Sequence, residues 1–155
     1  MGDASVCDRR AWRDPSSLEP VTDEGDPPFE SLDFLYTPSE DVASDVEAFE
    51  RLGALVVFAI ESNGTRVAAL RLDEEGPLIL FADHLDEERA IAVHRVSDLD
   101  ASLTDLERRG WVPEHTFEIP QGPCATFRSP TGHRLAVYQQ TRPEVGTHLE
   151  GRRDY

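Results

Sequence analysis

The sequence predicts an α+β domain built from two tandem copies of one βαβββ unit. Three observations carry that reading. An internal repeat runs without gaps at an offset of 57 residues, the distance from Gly53 to Gly110. A helical apolar stripe falls at the same place in each copy, and apolar runs of strand length precede and follow each stripe. At 155 residues the chain is long enough for one compact domain with a substantial core.

The repeat begins with a strand, where Phe34 and Leu35 align with Ile91 and Ala92. A helix follows. Asp41 and Asp98 are suitable N-caps, and Val42, Val46 and Phe49 in the first copy match Leu99, Leu103 and Leu106 in the second. Glu50-Arg51 matches Glu107-Arg108, and Gly53 and Gly110 then stand where a helix terminates. Residues 54–60 read as a middle strand. In the second copy Pro113, Glu114 and His115 interrupt the equivalent segment, which therefore belongs at a sheet edge or in an irregular stretch. The repeat continues through Val67/Cys124, Ala68/Ala125, Leu70/Phe127 and Arg71/Arg128, and closes on Leu78/Leu135, Leu80/Val137 and Phe81/Tyr138. The closing turns, Glu74-Glu75-Gly76 and Ser129-Pro130-Thr131-Gly132, differ by one residue at the glycine. Helix–strand chains can match by chance over a dozen residues, but a register held from strand to helix to strand favours a true repeat.

These elements divide the chain. Residues 1–30 are rich in Asp, Glu, Pro and Ser and read as a flexible leader. Residues 31–142 form the domain, with units at about 31–85 and 88–142, and residues 143–155 read as a polar tail. Fifteen basic residues, all Arg, against 31 acidic ones give a formal net charge of -16, which repels phosphate backbones and anionic headgroups. Nucleic acid and membrane are thus not expected partners. Mixed charge after Met1 lacks the pattern of a signal peptide, and no run approaches the length of a membrane span. Cys7 and Cys124 lie far apart with no metal-site or redox spacing, so a reducing cytoplasm is the expected setting.

The motifs Ser39-Glu40-Asp41-Val42, Ala48-Phe49-Glu50-Arg51-Leu52-Gly53-Ala54, Val96-Ser97-Asp98-Leu99-Asp100, Leu106-Glu107-Arg108-Arg109-Gly110 and residues 125–135 occur in an order that resembles the vicinal oxygen chelate superfamily. That group includes glyoxalase I, extradiol dioxygenases and bleomycin-resistance proteins. The resemblance covers about residues 31–142. It implies a curved mixed sheet forming a cup, with helices on the convex side, and a homodimer. It also implies a divalent-ion site with one ligand on the first and one on the last strand of each unit. Here those four seats fall on Phe34, Ile79, Ile91 and Ala136, none of which can donate a lone pair. No metal and no cofactor are expected.

Because residues two apart on a strand share a face, Tyr36 and Val93 should follow Phe34 and Ile91 inward. Phe81 should follow Ile79, and Arg134 and Tyr138 should accompany Ala136. This lining suits a flat or conjugated organic ligand, stacked on the rings and oriented by Arg134. The expected activity is metal-free sequestration of a small molecule, as in bleomycin-resistance proteins, and the sequence leaves turnover open. Two alternatives stay open. One is a divalent-metal lyase, isomerase or dioxygenase with a shifted ligand set drawn from His84, His94, His133 and nearby carboxylates. The other is a scaffold in which the same side chains merely close a core.

Other chemistry finds less support. His94 falls out of the inward register and should face the helix side or the strand end, and His133 lies beside a turn, whereas His84 could stand at the rim of the cup. No nucleophile elbow or Gly-rich phosphate loop occurs, and Cys124 reads as a buried inert thiol. Asp83, Asp86, Glu87 and Glu88 read as a solvated connector between the halves. Glu61 and Glu118, near strand ends, are not singled out as bases. Trp111, after the second helix, is expected near the cup.

Overall fold

Each helix of the repeat starts at an aspartate cap and stops at a glycine. In the computed structural model, which describes residues 25–85 and 89–155, α1 spans Val42–Arg51 and α2 spans Leu99–Arg108. Asp41 accepts from the Ser44 amide at 3.1 Å and Asp98 from the Ala101 amide at 3.0 Å, each satisfying an amide that the helix itself leaves unpaired. At the other end the chain turns through Gly53 and Gly110 at φ of 98° and 90°. That lets the Ala54 and Trp111 amides reach back to Phe49 and Leu106 carbonyls at 3.0 Å. The Gly53 and Gly110 amides meet Glu50 and Glu107, which completes a Schellman close in both copies.

The strands keep the same offset. β2 (Leu55–Ser62) and β3 (Thr65–Arg71) correspond to β6 (Val112–Ile119) and β7 (Gly122–Arg128), while β1 (Phe29–Pro38) and β4 (Leu78–Ala82) correspond to β5 (Ile91–Val96) and β8 (Arg134–Gln139). All eight form one sheet in the order β2-β3-β4-β1-β5-β8-β7-β6. The units join through the antiparallel pair of β1 and β5, where Phe34 faces Val93 and Tyr36 faces Ile91. The middle strands lie at the two edges. Pro113 is tolerated there, since an edge strand has one side without ladder bonds. A register shift occurs between Pro113 and His115, and another between Val56 and Phe58. The bulges sit at equivalent positions, so they belong to the repeat and not to the proline alone.

One face of the sheet packs on the helices. Val42, Val46, Ala59, Ala68, Leu70 and Phe81 form the cluster under α1, while Leu99, Leu106, Phe127, Leu135 and Val137 are prominent in the cluster under α2. Trp111 packs against the latter, away from the opposite face, because the Schellman turn carries the chain back over the helix it has just left.

Residues 143–155 do not behave as a loose polar tail. Glu144–Leu149 form α3, and the chain then docks on the β2 edge. The Ala59 amide donates to the Arg152 carbonyl at 2.8 Å and the Asp154 amide to the Ala59 carbonyl at 2.7 Å, filling the exposed side of that edge strand. Arg153 pairs with both Glu50 oxygens at 3.0 Å, and Tyr155 packs on the α1 cluster. The leader falls outside the described residues as far as residue 24. Phe29 and Glu30 already belong to β1, so the domain begins slightly before residue 31.

Gly122 opens β7 beside the chain that leaves β8. A Cβ there would lie 2.0 Å from the Gln139 carbonyl oxygen and 2.9 Å from Thr141 Oγ1. Gly122→Ala is expected to cost about 1–3 kcal/mol of stability by forced overpacking against backbone, measurable as a lower urea midpoint.

Candidate functional site

The face of the sheet opposite α1 and α2 is concave and holds a cavity of about 170 Å³. Phe34 and Tyr36 of β1 and Ile91 and Val93 of β5 form its floor, because alternate residues of the two central strands point the same way. The walls come from both sheet edges: Phe58 and Ile60 on β2, Phe117 and Ile119 on β6. Residues from the two ends of one sheet meet around one space, so the sheet curls through most of a barrel. Both halves of the cup come from a single chain. Leu149 of α3 contributes to the rim.

The lining is nearly all apolar, and its polar atoms are few. The Tyr36 hydroxyl sits 3.1 Å from His84 Nε2 at the rim, and its pKa is pushed up to about 12 by burial, with the Asp83 charge adding to the effect. Burial likewise pushes the Cys124 thiol up to about 12, which keeps it neutral and unreactive. Thr126, 4% exposed, differs from these. Its Oγ1 is buried and has no hydrogen-bond partner among the described residues.

A second space of about 350 Å³ adjoins the first and shares with it Phe34, Phe58, Leu80, Gln121 and Leu149. Tyr138 and Asp33 lie here. The Tyr138 hydroxyl donates to Asp33 Oδ2 at 2.5 Å, Ser31 donates to Asp33 Oδ1 at 2.6 Å, and Arg95 reaches Oδ2 at 3.6 Å. Desolvation, reinforced by the neighbouring carboxylate, raises the Tyr138 pKa. Its ring stays against the floor, 5.6 Å from Phe34 between centroids.

Of the residues expected inward, Phe34, Tyr36, Ile91, Val93 and Ala136 line the first space and Tyr138 the second. Three others stand elsewhere. Ile79 and Phe81 face α1, and Phe81 packs edge-on against Phe49 at 5.0 Å. The β3–β4 turn is one residue longer than the β7–β8 turn, so the offset drops from 57 to 56 across it. Ala69 pairs with Leu80 where Thr126 pairs with Ala136. One residue of slip sends every later side chain of a strand to the other face, and Leu80 is therefore the counterpart of Ala136. Arg134 does not line the cavity either, because its Nε donates to Glu114 Oε2 at 2.9 Å, and Glu114 also accepts from Arg128 at 2.7 Å. The unequal turn lengths were visible in the sequence and could have flagged Leu80. The wall residues of β2 and β6 carried no comparable signal.

The histidines do not converge. His84 stands at the rim, His94 stacks on Phe29 on the convex side at 4.6 Å, and the His133 amide donates to Ser129 Oγ within a turn. Burial lowers the His94 pKa. Among the described residues no three His, Cys, Asp or Glu side chains gather as a metal site. Asp86, Glu87 and Glu88 lie outside the described residues.

No protein-family model matches the chain, and no curated protein is similar to it in sequence. Solved structures do share its shape. Methylmalonyl-CoA epimerase from Mycobacterium tuberculosis superposes with a TM-score of 0.63 at 18% identity, over 77% of this chain and 93% of that one. A hypothetical protein from Bacillus halodurans superposes at 0.60 and 11% identity, over 72% and 95%. A 2,3-dioxygenase from a Pseudomonas species superposes at 0.53 and 12% identity, over 75% of this chain and 45% of the longer one. The chain has the vicinal oxygen chelate fold. At these identities the likeness speaks for architecture alone.

In this fold the ion seats lie on the first and last strands of each unit, and with the turn slip accounted for they fall on Phe34, Leu80, Ile91 and Ala136, all of which line the cavity. Divalent ions need oxygen, nitrogen or sulfur donors, and these four side chains offer none. The fold's usual metal does not fit the residues present.

The raised tyrosine pKa values have a consequence for stability. An unfolded Tyr36 loses its proton near pH 10 and the folded one near 12, so its contribution is full below pH 10 and is lost as pH rises through 12. The urea midpoint should fall across that window more steeply in the wild type than in Tyr36→Phe.

Proposed function

We propose that the protein binds a small aromatic or conjugated organic molecule by enclosing it in the cup, without a metal ion, and so sequesters it. The observation that carries this reading is the apolar cavity at the place where this fold otherwise seats an ion. A dry cavity of about 150 Å³ lined by aliphatic and aromatic groups accepts benzene, so the first space takes one ring or a slim fused pair. The adjoining space takes the remainder of a larger molecule. Affinity comes from apolar burial and ring contact with Phe34, Phe58 and Phe117, within the usual ceiling per ligand atom.

The test uses 1-aminoanthracene, whose fluorescence rises in apolar surroundings. The expected result is saturable enhancement with a Kd of order ~10 μM, equal in protein stripped with EDTA and in protein given zinc or manganese. Enhancement that requires an added ion, or neither enhancement nor thermal shift, overturns the reading.

A further inference from the structure

The two edge strands of the sheet are equivalent in the repeat but are not equally covered. On β2 the tail fills the outer side. The Gly151 amide donates to the Val57 carbonyl at 2.8 Å, the Ala59 amide and carbonyl bond Arg152 and Asp154, and Arg153 reaches across to Glu50 of α1. The hairpin of β6 and β7 keeps the register of the hairpin of β2 and β3: Thr116 stands opposite Ala125 as Ala59 stands opposite Ala68, and both carry their bulge at the same place. The amide and carbonyl of Thr116 therefore point away from β7, as those of Ala59 point away from β3. Among the described residues no backbone group bonds them. Glu107, the counterpart of Glu50, is exposed and forms no ion pair among those residues, whereas Arg108 and Arg109 beside it both pair with Asp105. An edge of this kind is a template for strand addition.

We infer that residues 8–12 of this same chain cover the β6 edge as a parallel strand, in the way that residues 151–155 cover β2. Arg9-Arg10-Ala11-Trp12 repeats the Arg-Arg-x-aromatic order of Arg152-Arg153-Asp154-Tyr155. The tail runs parallel to β2, with Arg153 beside Ala59. In the same alignment Arg10 meets Glu107 as Arg153 meets Glu50, and Trp12 takes the place of Tyr155. The Arg66 guanidinium lies over the Tyr155 ring, 4.9 Å from its centre, and its counterpart under Trp12 is the apolar ring of Pro123. A further run of the same order, from Arg108 to Trp111, already forms the end of α2 and its closing turn. The leader also enters at the right place. The Gly25 and Asp26 carbonyls accept from Arg109 at 3.5 and 3.0 Å, at the end of α2 where β6 begins. About a dozen residues separate Trp12 from Gly25 and span up to roughly 40 Å when extended, against about 27 Å for β6. Ala11 lacks the carboxylate with which Asp154 accepts from the Glu61 amide at 3.0 Å, so this strand is held less firmly than the tail. The inference concerns the outside of the sheet and does not depend on enclosure of a ligand.

The experiment is amide hydrogen exchange of the intact chain at low salt, read at single residues by NMR. The Thr116 amide is expected to exchange at least about 10-fold more slowly in the wild type than in Arg10→Glu/Trp12→Ala. The Ala59 amide, bonded to the tail, should exchange alike in both and so reports that the fold is intact. Arg10→Glu alone is expected to speed Thr116 exchange about 3- to 5-fold, and addition of Glu107→Arg should restore it.

Equal Thr116 exchange in the wild type and in Arg10→Glu/Trp12→Ala overturns the assignment of the leader to this edge. Protection that appears only as protein concentration rises, together with a dimer in light scattering, assigns the edge to a second copy and overturns the intramolecular strand. A charge swap that fails to restore protection overturns the pairing of Arg10 with Glu107.

Discussion

Ala136→Phe is expected to abolish probe uptake while leaving the protein folded. Ala136 is 2% exposed, sits mid-strand on β8 and points into the 170 Å³ cavity. A phenyl ring placed there occupies the volume that an aromatic ligand would take. Overpacking a filled core costs about 1–3 kcal/mol, but here the added ring enters existing space, so the stability change should lie at or below the low end of that range. Affinity for 1-aminoanthracene should fall by at least ~100-fold, which corresponds to roughly 2.7 kcal/mol. Retained binding in a folded Ala136→Phe protein would place the ligand elsewhere.

Phe81→Ala should do the opposite. Its ring is 5% exposed, lies beneath α1 and meets Phe49 edge-on at 5.0 Å. Truncation removes buried area, leaves a cavity in the α1 cluster and breaks an aromatic pair, for a loss of about 3–5 kcal/mol. The thermal midpoint should drop by roughly 6–20 °C on the usual scale for a domain of this size. Since Phe81 faces away from the cup, the milder Phe81→Leu should lower the midpoint less and bind 1-aminoanthracene with wild-type affinity. Loss of binding in a folded Phe81→Leu protein would contradict the facing seen here.

The pair of substitutions marks where local sequence reasoning holds and where it stops. The caps at Asp41 and Asp98, the glycine closes and the helix stripes depend on residues within a few positions of one another, and all of them are legible in the chain. So is the inward set on the central strands, because alternation along one strand is local too. The facing of β4 is different. It depends on the length of the preceding turn, and a rigid offset of 57 carried Ile79 and Phe81 to the wrong side. Arg134 illustrates a second limit. It stands two residues from Ala136 on β8, but its guanidinium is held by Glu114, a partner 20 residues away on β6.

Taken by itself, the sequence determined the order of the elements within the two repeat units, the duplication, the charge and the apolar character of the seats that an ion would need. These follow from composition and short-range periodicity, which each segment carries with it. Only the tertiary structure decided that one sheet curls until Phe58 and Phe117 from opposite edges share a cavity. It also decided that residues 143–155 dock along β2, that Leu80 replaces Ile79 in the lining, and that the Thr126 hydroxyl is left without a partner among the described residues. Each of these is set by strand pairing between distant segments, where a single residue of register or a single bulge reverses which side chain meets the ligand and which meets the core.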